Sequence, residues 1–304
     1  MRVLSLFFLS SALLGLGAAS HAQELDVTEI VSAHDAFTQA ADKQTRTALA
    51  EALDRYQGDP TVESVNAHLA LVLSDTAAAK YGDMRDSALA ASNHLEPVAD
   101  ILPRQYAETK YVAAVALFNH RQKSEAMSEM AHVEGFCRQQ IGNAEESPEW
   151  ADDLKWKADA WGMAMDAYFE AEREKHPSDN ELDAILKSYN IDEDALSAKA
   201  MLSEDEAGLP HCSGRMIQRP KMRYPSGKAL RGKFGAVILG LEFDDEGQVI
   251  NPKVLASVPI EEFDEKSLRV VGQWRFKPDD PDQVGISCRL ERTDVVQPLV
   301  FQIR

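Results

Sequence analysis

Long apolar runs are almost missing from this 304-residue chain, cysteines number only three, and basic residues are outnumbered, 32 against 50 acidic. The single long apolar run, Val3 to Gly17, follows Arg2 and precedes the segment AASHAQ, where Ser20, His21 and Ala22 provide the small −3 and −1 positions before Gln23. That pattern reads as a secretory signal, residues 1–22, because the run falls short of the roughly 20 residues that a bilayer core requires. The alternative is an uncleaved inner-membrane anchor. No other window approaches spanning length, so the mature chain is expected to be exported and periplasmic. Short catalytic signatures are missing too: no Gly-x-Ser-x-Gly elbow, no phosphate loop, no zinc-type His pair and no cysteine with an identifiable base. The chain is therefore expected not to be an enzyme and to need no cofactor and no metal.

The charge deficit is local. From Glu24 to Ser213 the chain carries 16 basic and 37 acidic residues, whereas from Gly214 to Arg304 it carries 15 and 13. An acidic first part repels phosphate backbones and anionic headgroups, which argues against nucleic acid and membrane surfaces as its partners. The composition, 44% apolar and 27% charged, is globular, and the length allows two cores. Three cysteines in an oxidising compartment allow one intramolecular bridge at most. Cys212 and Cys288 bracket the C-terminal region and are the candidate pair, with three unpaired thiols as the other reading.

Through the acidic part, apolar residues recur at three and four, so every segment reads as helix. Leu49, Leu53 and Tyr56 form one stripe ending at Gly58; Val65, Leu69, Val72 and Leu73 form another, expected to end at Gly82. Pro97 and Pro103 interrupt and close the next segment, and Ser147-Pro148 opens a long one. Short connections between these helices suggest hairpins, and LFNHRQKSEAMSEM has the outline of a tetratricopeptide-type unit. Trp150, Leu154, Ala158, Trp161 and Met165 make a stripe that core packing explains. His34, His68, His94, His120 and His132 are scattered, without metal spacing, and are expected to face solvent or be satisfied in the core.

A charged run with Gly208, Pro210 and Gly214 marks a linker at 206–218, dividing a helical domain (23–205) from a C-terminal one (219–304). There the periodicity changes to two. FGAVILGLEF alternates with Val237, Leu239, Leu241 and Phe243 on one face, DDEG is a turn, and QVINPKVLASVP is a second strand. An amphipathic helix runs into WRFKP, and TDVVQPLVFQIR closes the chain with Val295, Gln297, Leu299, Phe301 and Ile303 on one face.

These residues carry a resemblance. Tyr224-Pro225, the Asp245 to Gly247 turn, Phe263-Asp264 at the helix start, and Trp274-Arg275-Phe276-x-Pro278 at its end occur in the order found in the C-terminal domain of the TonB family of energy transducers. The resemblance implies a small α+β domain, a three-stranded antiparallel sheet with one packed helix, behind an all-α tetratricopeptide-like array. Tyr224, Pro225, Gly247, Phe263, Trp274, Phe276 and Pro278 would be its structural residues. It also implies a binding role, in which the sheet edge takes a peptide of an outer-membrane transporter by strand addition. The residues expected to carry that role are Arg223 and the last strand: Asp294, Val295, Val296, Gln297, Leu299, Phe301 and Ile303. The expected partner is a protein of the cell envelope, and no small-molecule substrate is implied. Pro298 removes one donor from such a ladder, and pairing of two copies through their edges stays open. A membrane-anchored transducer is the alternative function, although a long proline-rich spacer is not seen.

Overall fold

The computed structural model describes residues 21–144, 146–172, 177–191, 212–221, 235–258, 263–280 and 288–301. The signal segment before His21, Arg223, Tyr224, Pro225 and Ile303 lie outside them. The chain forms two compact units, Met1–Glu129 and Met130–Arg304. Their division falls well before the 206–218 segment, for a reason that the second unit supplies.

The first unit is helical: α1 (His21–Gln39), α2 (Lys43–Arg55), α3 (Val62–Ala78), α4 (Tyr81–Leu95), a 3₁₀ turn (Glu96–Val98), α5 (Pro103–Asn119) and the start of α6 (Lys123–Asn143). Each start has a local cause. Asp42 accepts from the N–H groups of Gln44 and Thr45, Thr61 accepts from that of Ser64, and Pro103 occupies the first turn of α5, where no N–H is needed. The end of α3 differs from expectation. Ala79 takes the left-handed conformation there (φ 51°), and Gly82 sits inside α4.

Helix α3 explains why its expected stripe is only half right. Ala67 and Leu71 pack with Ile30, Phe37, Leu49 and Leu53, while Val72 packs with Met84, Ala88, Val112 and Ala116. Buried on two sides, α3 leaves Leu73 exposed. A charged pair also stabilises it: the Arg46 guanidinium donates to both oxygens of the buried Asp75 carboxylate, at 2.6 and 2.7 Å. Two of the five singled-out histidines come together here. His68 and His94 lie with ring centroids 4.7 Å apart, Tyr56 meets His94 edge-on, and His94 Nε2 is 2.7 Å from Ser64 Oγ.

The second unit contains the rest of α6, α7 (Glu149–Glu172), α8 (Asp179–Ser188) and five strands: β1 (Gly214–Gln218), β2 (Gly235–Phe243), β3 (Val249–Val258), β4 (Arg275–Pro278) and β5 (Arg292–Phe301), with α9 (Asp264–Val271) between β3 and β4. The end of α8 is tied to α6, since Gln139 Nε2 donates to the Tyr189 carbonyl and the His132 Nδ1 atom lies 2.9 Å from the Tyr189 hydroxyl. The main sheet is antiparallel with order β3-β2-β5. A second, two-stranded sheet pairs β1 with β4. That sheet is an addition to expectation: RMIQ reads as linker and RFKP as a helix tail until their distant partners are known.

Strand β2 is buried almost throughout, and its two rows of side chains face two different covers. Val237, Leu239, Leu241 and Phe243 meet Phe263, Val271, Trp274, Phe276 and Phe301, the core shared with α9. Ala236 and Ile238, with Ala256 and Val258 of β3, meet Ala160 and Ala164 of α7. Alanines at i and i+4 lie on one helix stripe, and their small size lets the helix backbone come close to the sheet. Trp156 and Met163 pack beside them. The sheet therefore has a helix on each face, and this is why residues well before the linker belong physically with it.

The β2–β3 turn is built on Gly247. Its φ is +73°, and an added Cβ would lie 1.6 Å from the Phe276 carbonyl oxygen, so both conformation and space require glycine. The Gly247 carbonyl accepts from the Phe276 N–H at 2.8 Å, joining the turn to β4. Trp274 is 4% exposed, and its ring closes the core beneath the chain reversal after α9.

Two outcomes follow. Trp274→Ala is expected to destabilise the second unit by about 3 to 5 kcal/mol, as for other buried aromatic truncations; an unchanged urea midpoint would refute the placement of α9 on the sheet. The second concerns pH. Burial, and then the neighbouring His94, lower the His68 pKa from 6.5 to about 3. The unfolded chain takes up that proton near 6.5 and the folded one only near 3, so the unfolded state binds more protons across this window. Stability is expected to fall as pH drops below about 6.5. Urea midpoints measured at pH 7 and 4 should show a shallower dependence for His68→Phe than for the native chain, and equal slopes would refute it.

Candidate functional site

A three-stranded sheet has two edges, and here they differ. Along β3 the register shifts twice, Asn251 adopts a left-handed φ of 46°, and Pro252 follows. Bulges and proline of this kind spoil an edge for further pairing. Along β5 the register with β2 is unbroken from Val295 to Phe301 and shifts once, between Val295 and Arg292, giving the more regular edge, with no further strand paired to it among the described residues.

The structure divides the strand residues into two sets. Phe301 is buried and stacks on Phe263 with centroids 4.2 Å apart, and Val295 and Leu299 pack on the same core. Val296, Pro298 and Val300 are exposed on the opposite row, the two valines at 40% and 48%. Pro298, paired with Ile238 inside the unbroken register, has no N–H. It must therefore sit where that group would point away from β2. Val296 and Val300 share its parity, so their N–H and C=O groups point to the open side. Val295, Gln297, Leu299 and Phe301 spend theirs on β2. Asp294 lies within the register shift between Val295 and Arg292.

The centre of the edge is closed in a way the sequence alone does not reveal. Gln297 Nε2 donates to the Pro298 carbonyl at 2.8 Å, so residue 298 lacks a donor and has an engaged acceptor. The Gln297 Oε1 atom accepts from Arg219 at 3.3 Å, and the Arg219 guanidinium lies over the Trp274 ring, 4.6 Å from its centroid. Trp274 thus orients, through Arg219, the side chain that closes the edge. Arg219 is the residue that sequence reasoning missed; only its distance from the motif, five residues before Tyr224, hinted at it.

Behind the edge, a disulfide joins Cys212 to Cys288 across 76 residues, with Cα atoms 4.9 Å apart. The Cys212 N–H donates to the Arg289 carbonyl and the Asp279 N–H to that of Ser213, at 2.8 and 2.7 Å. These links set the start of β5 against the β1–β4 sheet. Cys137 is a buried free thiol whose pKa burial pushes up, which leaves it unreactive.

Residues 220–293 match the family described as Gram-negative bacterial TonB protein C-terminal. The match takes in β2, β3, α9 and β4, begins after β1 and stops early in β5. No curated protein matches the chain. The C-terminal part is thus a TonB-type α+β domain with antiparallel sheets, preceded in the chain by a helical region. Among the described residues no helix is long and apolar enough to cross a membrane.

Because the bridge closes a loop of 76 residues, replacing both Cys212 and Cys288 by Ser is expected to cost about 4 kcal/mol in the chain-entropy account. Denaturant unfolding of that variant against the native chain measures it, and a loss below about 1 kcal/mol would contradict the assignment of the bridge as the anchor of β5.

Proposed function

We propose that this chain is a non-enzymatic, exported module of the Gram-negative cell envelope that takes a segment of an envelope protein along the open edge of β5. The carrying observation is the edge itself: a regular strand in a domain matching the TonB C-terminal family, with Val296 and Val300 exposed and their backbone groups directed outward. The family match supports an envelope protein-interaction role, and strand addition takes its affinity from main-chain hydrogen bonds rather than from special side chains. Residue 298 interrupts the ladder and the register shifts before Val295, so the backbone groups on offer are those of Val296 and Val300, on either side of Pro298. Residues 1–22 act as a cleaved signal and 219–304 as the binding module, in this reading. An outer-membrane transporter is the partner the family match favours.

A photo-reactive residue placed at Val296 or Val300 in cells tests this. Adducts to an outer-membrane transporter, identified by mass spectrometry, are expected at both positions and not at Lys253 on the irregular β3 edge. Adducts that are missing from both, or equally abundant at Lys253, would refute the edge assignment. The intact mass of the protein from the envelope fraction tests the signal: it is expected to begin at Gln23, and a mass retaining Met1 would favour the anchored transducer.

A further inference from the structure

A strand laid along β5 meets one defect, and it falls between the two residues that are free to pair. Val296, Pro298 and Val300 are the open-side positions, and each would offer a docking strand one N–H and one C=O. Pro298 has no N–H, so the docking strand would present a carbonyl there that finds no main-chain donor. A backbone carbonyl covered without a partner costs about as much as a lost hydrogen bond.

The side chain next to the defect carries a donor. Gln297 is half-buried, and two contacts orient its amide: Oε1 accepts from Arg219 at 3.3 Å, and Nε2 donates to the Pro298 carbonyl at 2.8 Å. A guanidinium only donates and a carbonyl only accepts, so the two partners together fix which end of the amide faces the edge. It is the NH₂ end. The Pro298 carbonyl takes one of its two N–H groups, and no acceptor holds the second among the described residues.

The residue that holds the amide is itself held. Arg219 directly follows β1, which is paired with β4 and tied at its start by the Cys212–Cys288 bridge. Its guanidinium lies over the ring of the buried Trp274, 4.6 Å from the centroid. A glutamine free in solvent would lose rotamer entropy each time it had to point one way, whereas this one is already aimed when the strand arrives.

We propose that Gln297 supplies the hydrogen-bond donor that Pro298 lacks. In the free chain its Nε2–H caps the Pro298 carbonyl. When a strand docks, the N–H of that strand takes over the Pro298 carbonyl, and Gln297 Nε2–H donates to the carbonyl of the docking strand that would otherwise stay unmet. Gln297 is thus a positioning residue of the docking edge, and Arg219 on Trp274 keeps its amide directed there. This role presupposes strand docking along β5.

The photo-reactive residue at Val300 of the full chain, read in cells as adduct per chain, tests it. If the otherwise native chain gives no adduct, strand docking fails and the role of Gln297 fails with it. Where the adduct forms, Gln297→Met, which keeps the side-chain length and removes the donor, is expected to lower the yield about fivefold, the net worth of one hydrogen bond. Arg219→Met, which removes the anchor, should lower it as well. The deciding background is Pro298→Ala, which restores the main-chain N–H: there both substitutions should change the yield by less than about twofold, because the donor they remove is no longer needed. A purely packing role for Gln297 would give the same loss in both backgrounds, and that result overturns the proposal, as does an unchanged yield for Gln297→Met alone. Urea midpoints of the purified variants establish that each is folded, and Gln297→Leu replaces Gln297→Met if the latter is not.

Discussion

A strand buried on both faces has no side chain left for water, so β2 must find an apolar cover for each of its rows, and the second unit is organised by that requirement. The large row, Val237, Leu239, Leu241 and Phe243, closes on α9 and the aromatic residues that follow it. The other row, with its neighbours on β3, closes on the small stripe of α7. Removing either cover would expose a continuous apolar surface on a small sheet, which has little other core to draw on. The α7 contact is thus a structural part of the TonB-type domain in this chain, although it comes from sequence that lies well before the family match.

The same sheet decides where a partner can approach. Its faces are covered along β2, which leaves the edges and the exposed row of β5. Two register shifts and Pro252 spoil one edge, and the other is regular from Val295 to Phe301 apart from the missing donor at Pro298. An edge that is open at both ends of its length and closed in the middle is a compromise between two demands, since an uninterrupted edge invites pairing between copies and a fully blocked one binds nothing. The contact from Trp274 through Arg219 to Gln297 couples that closure to the packed core. Trp274 therefore has two physical roles here, filling the core with one side of its ring and holding a cation on its surface.

The first unit solves a different problem. Helix α3 is buried on two sides yet carries Asp75 and His68, and each needs compensation. Asp75 has it in the bidentate Arg46 contact, because a buried carboxylate without a partner would cost several kcal/mol or be protonated. His68 has it only in part, by remaining neutral.

The run of helices, the helix starts at Thr61 and at Ser147-Pro148, the glycine turn and the β2 and α9 cores were legible in the sequence because each depends on neighbours within a few residues: a cap, a period of two or 3.6, a φ that only glycine tolerates. What the sequence could not express is which distant segments meet. RMIQ and RFKP are too short to show a strand period, and they become strands only by pairing with one another. Ala160 and Ala164 are ordinary helix formers until a sheet lies against them. His68 and His94 look unrelated at 26 residues' separation and become neighbours through helix packing. Of the edge residues, the sequence determined which side chains share a row, because alternation is a property of the strand itself; only the tertiary structure decided which row is buried, which backbone groups point outward and which atom closes the gap, because each of those is set by what lies across the strand rather than along it.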